Sequence, residues 1–272
     1  MMNLESRIGI DLGRKIKLED GIEWAHQNGV QYVDCELDVA PNALPSFTPE
    51  RCAVVRDKLE KYGVKLGLHT LSAVNTAEYS PFVSEAVDAY LKAYIDTAKN
   101  LSAGWIVIHG GYHFTGDYDV RMKAGLDRIN RIADYAERCK IPLLLENLNK
   151  EPDDAEVHYI PHNLEECQFF LNQISSPYVR WSFTINHAHL VPEGIVGHVN
   201  NLDMRRCGEV RIADNKGDKE EHLQIGEGNI NFADVFNLIE SSGFTGHYMN
   251  AFGSLDDMLL GRNRLARIAS AL

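Results

Sequence analysis

The feature that most constrains this chain is a repeated alternation. Eight short, mostly apolar runs recur along it, at Arg7–Asp11, Gln31–Leu37, Val64–Thr70, Gly104–Gly110, Ile141–Asn147, Tyr178–Thr184, Gly208–Asp214 and Gly246–Phe252. Runs of this length suit parallel strands buried on both faces. Between them lie longer segments with helical spacing. Val87, Tyr90, Leu91, Tyr94, Ile95 and Ala98 fall three and four apart, as do Ala124, Leu126, Ile129, Ile132, Ala133 and Ala136. Each set defines one apolar helix face. The segment after the sixth run is the least regular, because Gly194 and Gly197 interrupt it. Eight strand–helix units predict an α/β protein, a (β/α)8 TIM barrel closed on itself and occupying residues 1–272 as one domain.

Loop length gives the barrel its polarity. Chain entering a strand is terse, as in QNGV and KYGV, whereas chain leaving a strand is long, as in NKEPDDAEVHYIPHN and NKGDKEEHLQIGEGNIN. Barrel enzymes build their sites from the long loops at the strand C-termini. The polar residues at those ends are Asp11, Glu36, His69, His109, Glu146, then Thr184, Asn186 and His187, then Arg211 and Asp214, and finally Asn250. Any one of them alone reads as an ordinary hydrogen-bonded loop residue. Their convergence on one face is a binding-site signature.

Composition narrows the function. The net charge of −12 offers no basic excess to displace counterions, so no nucleic-acid partner is expected. No apolar run approaches the ~18 residues of a membrane span, and MMNLESRIGID lacks the order of a secretory leader. A cytoplasmic protein without a membrane partner is the expectation. The five cysteines are an odd number with no CxxC pair, which fits free thiols in a reducing compartment.

The stretches LLLENLNK (Leu143–Lys150), INHAHL (Ile185–Leu190), DNKGDKEEHLQIGEGNINF (Asp214–Phe232) and IHGG (Ile108–Gly111) carry a resemblance. The chain resembles the xylose isomerase-like barrels, which include sugar isomerases and epimerases and the endonuclease-four type of DNA-repair enzyme. The resemblance implies one divalent metal held by four side chains at the ends of strands five to eight. Position by position, these fall on Glu146, Thr184, Arg211 and Asn250, and His187 matches a retained histidine. Only Glu146 is a family ligand. Threonine and asparagine offer neutral oxygens and arginine offers none. A guanidinium about 4 Å from a divalent ion is repelled by roughly 8 kcal/mol at an effective dielectric of ~20. No metal is therefore expected at the usual position.

Two further sets stay open as metal sites: His69, His109 and Glu146, and His187, Glu220 and His222. The resemblance implies zinc at the matching positions of the DNA-repair branch, with an Asp where Glu220 stands. In the sugar branch it implies substrate contacts instead. Glu146, His187 and Arg211 are the expected catalytic residues: Glu146 as a base, His187 as a second proton carrier, and Arg211 as an oxyanion partner that also pairs with Glu146. An inert internal salt bridge is the competing reading for Arg211. His69, His109, Thr184, Asn186, Asp214, His222 and Asn250 are the expected substrate contacts. The implied activity is isomerisation or elimination on a small keto-sugar or polyhydroxy compound. A non-catalytic sugar- or protein-binding descendant and a zinc-dependent nuclease are the alternatives, and a homo-oligomer is compatible with each.

Overall fold

The computed structural model describes residues 4–14 and 16–272. The first three residues, part of the segment read above as carrying no leader, lie outside it. All eight apolar runs form parallel barrel strands: β1 (Ile8–Asp11), β2 (Tyr32–Glu36), β3 (Lys65–His69), β4 (Trp105–Ile108), β6 (Leu143–Glu146), β8 (Val179–Thr184), β9 (Cys207–Ile212) and β10 (His247–Asn250). They close in the order β1-β10-β9-β8-β6-β4-β3-β2. The helices are α1 (Leu18–Gln27), α2 (Pro49–Tyr62), α3 (Pro81–Leu101), α4 (Tyr118–Cys139), α5 (Leu164–Gln173), α6 (Ile185–Ala188), α7 (Gly194–Asn201), α8 (Phe232–Ser241) and α9 (Leu255–Ser270). Among the described residues, no helix is long and apolar enough to cross a membrane.

Local chemistry sets the helix ends. Thr48 accepts a hydrogen bond from the Arg51 N–H ahead of Pro49, so α2 starts with a capped first turn, and it stops at Gly63 with φ of +65°. A Ser254/Asp257 capping box starts α9. On α4, Leu126, Ile129, Ile132, Ala133 and Ala136 of the expected apolar face are buried, joined by Met122, whereas Ala124 is only partly buried.

Two regions depart from the sequence reading. After β8 the chain makes the single turn α6 and then α7, and Gly194, at φ +62°, opens α7 rather than interrupting a helix. The loops after β4 and β6 also contain strands, β5 (Gly111–Phe114) and β7 (Val157–Ile160). These pair antiparallel across the mouth, Tyr112 opposite Tyr159 and His113 opposite His158. Their short alternating segments YHF and VHYI were the available signal.

The barrel interior carries an unusual load. Along each strand every second side chain points inward. Trp105, Val107, Leu144 and Met249 form a small apolar cluster there. Beside it sit Asp34, Ser182, Glu209 and Arg211, each 0% exposed. Barrel interiors are usually layers of branched aliphatic residues, so four polar groups in this one demand mutual compensation.

Candidate functional site

The ends of β3, β4 and β6 bring His69, His109 and Glu146 together, as the sequence suggested. The two Nε2 atoms lie 3.2 Å apart, and each lies 3.2 Å from Glu146 Oε2. The three atoms thus form a nearly equilateral triangle. Donors bound tetrahedrally at about 2.0–2.1 Å to a zinc ion are about 3.3 Å apart, so these residues fit such an ion. Glu146 Oε1 is taken by the Thr184 hydroxyl at 2.5 Å. Burial alone would raise the Glu146 carboxyl, but hydrogen bonds from His109 and His69 outweigh it and hold it well below the usual range. A carboxylate held this way is a poor base. Burial lowers His109, whereas His69 is raised, because Glu146 and Asp34 outweigh burial and the Arg211 charge.

The second set assembles around His187. Its Nδ1 lies 2.8 Å from the Asn147 carbonyl oxygen, which can only accept, so Nδ1 carries the proton and Nε2 is the working nitrogen. Nε2 lies 3.4 Å from Glu220 Oε1, and His222 Nε2 reaches the same oxygen at 2.5 Å. His222 stacks on Phe252 with ring centroids 3.5 Å apart and planes 3° apart. Burial would lower His187, but Glu220 outweighs it and raises it. Conversely, burial would raise Glu220, and the two histidines hold it down at about 2. Asn186 donates to Glu220 Oε1 at 3.4 Å. Its own Oδ1 and Glu220 Oε2 are buried without a partner among the described residues. These unfilled acceptors mark where a donor from a ligand would go.

The expected Arg211–Glu146 pair does not form. Arg211 turns toward the barrel axis, where Nη1 contacts Asp34 and lies 3.0 Å from Glu209, and Nη2 lies 2.9 Å from Asp11. The physical reason is supply. Three carboxylates surround the guanidinium on the β1, β2 and β9 side, while Glu146 is already engaged by Thr184, His69 and His109. Burial would lower Arg211, and these carboxylates outweigh it and raise it well above its ordinary value. One cation does not neutralise three carboxyl groups, of which Asp34 and Glu209 are fully buried and Asp11 is partly exposed. Burial, with Asp11 and Glu209 alongside, drives the Asp34 carboxyl well above its usual range despite Arg211. Burial also works against Glu209, but Arg211 and His247 hold it down at about 2. Asp34 and Glu209 were not singled out from the sequence. A charged residue at an inward position of an apolar run, as in YVDCE and GEVRI, was the signal.

Two expected substrate contacts are placed elsewhere. Asp214 spends both oxygens on the N–H groups of Gly226, Gly228 and Ile230, at 2.9, 3.0 and 3.3 Å. It clamps the loop that carries Glu220 and His222, so it positions the site and leaves nothing for a ligand. Asn250 donates to the Met258 carbonyl at 2.5 Å and is drawn toward α9. Asp214 offers no donor to the family's metal position, Asn250 could offer only a neutral Oδ1, and Thr184 has given its hydroxyl to Glu146. With Arg211 tied into its cluster, the residues present do not fit the four-ligand metal. Asn147, also missed from the sequence, takes both backbone groups of Thr184 with its amide, at 2.8 and 3.0 Å. It thereby fixes the end of β8 and, through its carbonyl, His187.

Comparison with known proteins follows the same lines. The profile of a family described as xylose isomerase-like TIM barrel matches residues 22–253. An uncharacterized protein of Methanocaldococcus jannaschii, MJ1311, is 27% identical over 74% of this chain and 68% of its own length. A probable endonuclease 4 of Symbiobacterium thermophilum is 26% identical over 74% of this chain and 75% of its own. Among solved structures, a D-tagatose 3-epimerase-like protein superposes with a TM-score of 0.83 at 20% identity, covering 97% of both chains. The D-psicose 3-epimerase of Clostridium cellulolyticum H10 superposes at 0.76 with 15% identity, again over 97% of both. At such identities the structural matches establish the fold.

Proposed function

The chain belongs to the xylose isomerase-like TIM-barrel family, and within it we propose an enzyme that moves a proton on a small hydroxy-carbonyl carbohydrate at the strand C-terminal mouth, without a metal at the family's four-ligand position. The observation that carries this reading is His187. Its Nδ1–H is committed to Asn147, and its Nε2 faces the mouth beside Glu220, whose second oxygen is unfilled. In this reading His187 carries the proton transfer and Glu146 anchors His69, His109 and Thr184. Asn186 and His222 flank the same position and supply hydrogen bonds to substrate hydroxyls. A divalent ion, where one is used, would be held by His69, His109 and Glu146, and it would polarise a substrate oxygen.

The reading is tested by incubating the protein with ketoses of the kind handled by its structural neighbours, D-tagatose, D-psicose, D-fructose and L-ribulose, in deuterated water. Loss of a carbon-bound proton signal, abolished in a folded His187→Asn variant, is expected. An absence of exchange across the panel overturns the reading and leaves a binding protein. One observation favours a second reading: both histidine sets assemble, and a probable endonuclease 4 is among the relatives. A zinc-dependent nuclease would bind two or more zinc ions per chain and cleave abasic DNA. Cleavage without ketose exchange would establish it in place of the first reading.

A further inference from the structure

The opposite end of the barrel has a composition that plugging alone does not require. The bottom layer holds Tyr32, Trp105 and His247. Tyr32 and His247 stack at 4.5 Å with planes 9° apart, and Trp105 meets His247 at 4.3 Å. Glycines make the room for these rings. A Cβ at Gly67 would come within 2.1 Å of the Trp105 indole, and one at Gly9 would come within 2.4 Å of the Tyr32 backbone oxygen. The floor is fixed from within, because His247 Nε2 lies 3.0 Å from Glu209.

Below this layer opens a cavity of about 660 Å³, bounded by the strand N-termini and the end of α2. That volume accommodates a mononucleotide-sized molecule. Three cations line it: Arg56, Lys65 and Arg180. Arg56 donates to the Asn100 carbonyl, Lys65 to the Tyr32 hydroxyl at 2.8 Å, and Arg180 to the Cys207 carbonyl at 3.0 Å. All three partners are neutral. Arg56, Lys65 and Arg180 form no salt bridge among the described residues, although Asp57 and Glu60 stand on the same rim. In a chain of net charge −12, three carboxylate-free cations around one aromatic-floored cavity are a local reversal of sign. Neutral acceptors fix their direction, and with Asp57 and Glu60 the lining keeps an excess of one positive charge, three cations against two carboxylates.

We propose that this cavity is a second ligand site, which takes a planar aromatic anion of about mononucleotide size. The ring lies against the aromatic floor and the anionic group is held by Lys65 and Arg180, with Arg56 at the rim. Site and mouth lie at opposite ends of the barrel, so the inference is independent of the reaction proposed above.

Adenosine 5′-monophosphate and 8-anilinonaphthalene-1-sulfonate are the probes, followed by calorimetry on the whole chain. Saturable one-to-one binding is expected for at least one of them. For the nucleotide, adenosine alone and inorganic phosphate alone should each bind about tenfold more weakly or worse. Lys65→Ala and Arg180→Ala, both on the rim, should each weaken the probe about tenfold while leaving the thermal midpoint unchanged, and His187→Asn should have no effect. Failure of both probes to saturate by ~5 mM, weaker than about 3 kcal/mol of binding free energy, overturns the proposal. So does binding that is indifferent to both cation variants. That result would leave the aromatic layer as a plug of the barrel floor.

Discussion

Two sides of one barrel mouth solve opposite problems. On the β3, β4 and β6 side, three donor atoms converge: His69, His109 and Glu146 form an open triangle. On the β1, β2 and β9 side, a side-chain cation is already in place, and Asp11, Asp34 and Glu209 gather around Arg211. The first arrangement leaves its centre to an exchangeable ion, and the second is closed by a side chain. The difference is between an open set of donors and a set already filled by a fixed guanidinium. An arginine brought inward needs new carboxylates, and two of them, Asp34 and Glu209, come from interior positions that a barrel normally fills with aliphatic side chains.

The largest expected effect breaks the closed side. Arg211→Met leaves the buried Asp34 and Glu209 and the partly exposed Asp11 without their cation, and urea unfolding should show a loss of about 3–5 kcal/mol. A loss under about 1 kcal/mol would mean that the cluster is loosely held and the comparison fails. Acid sharpens the same side. Glu209 is depressed in the folded state, from 4.5 to about 2. Its contribution is therefore fully present above pH 4.5 and is lost as pH falls toward 2. The shift corresponds to about 3 kcal/mol. Unfolding free energy measured at stepped pH through that window should fall more steeply in the wild type than in Glu209→Gln. Equal slopes would place the stabilising charge elsewhere.

The open side should respond more mildly. Thr184→Val removes a hydroxyl donor from the buried Glu146 and should cost about 1–3 kcal/mol by urea unfolding. It should leave the Arg211 cluster intact, so its effect should add to that of a change at Glu209. The smallest expected stability effect is at His222, whose side chain is 36% exposed. His222→Ala should change stability by less than about 1 kcal/mol. Ketose exchange should nevertheless drop, because Glu220 loses one of its two histidine partners. With His187 raised above its ordinary 6.5 by Glu220, an exchange rate that needs neutral His187 Nε2 to accept the carbon-bound proton should decline as pH falls below that raised value. His222→Ala should change this profile, whereas a loss of packing alone would not.

What the sequence conveyed divides along the same line. Strand and helix identities were legible because the barrel imposes a period: an inward position on β6 is followed two residues later by another, and α4 repeats its apolar face every three or four residues. The two histidine sets were legible because His69, His109 and Glu146 lie at strand ends, His187 on the turn α6 after β8, and Glu220 and His222 on the loop after β9. Arg211 was legible as an anomaly, but its partner was not. Spacing along one strand cannot say whether a guanidinium leans toward β6 or toward β2, and only the closed barrel brings Asp34 beside it. The β5–β7 ribbon was missed for a similar reason, since its halves are separated by α4 and β6 and pair only after the barrel forms. Asp214 and Asn250 shared the family's positions, yet their side chains were claimed by backbone groups of a loop and a helix that the sequence does not locate.

The most direct test of whether the Arg211 guanidinium, and not an ion, fills the family's four-ligand position is a zinc-soaked crystal measured at the zinc absorption edge. Anomalous density is expected at one place on this side of the mouth, against His69 Nε2, His109 Nε2 and Glu146 Oε2, with the Arg211 guanidinium still seated on Asp11, Asp34 and Glu209. An ion bound between Glu146, Thr184 and Asn250, with the guanidinium displaced from its carboxylates, would contradict it.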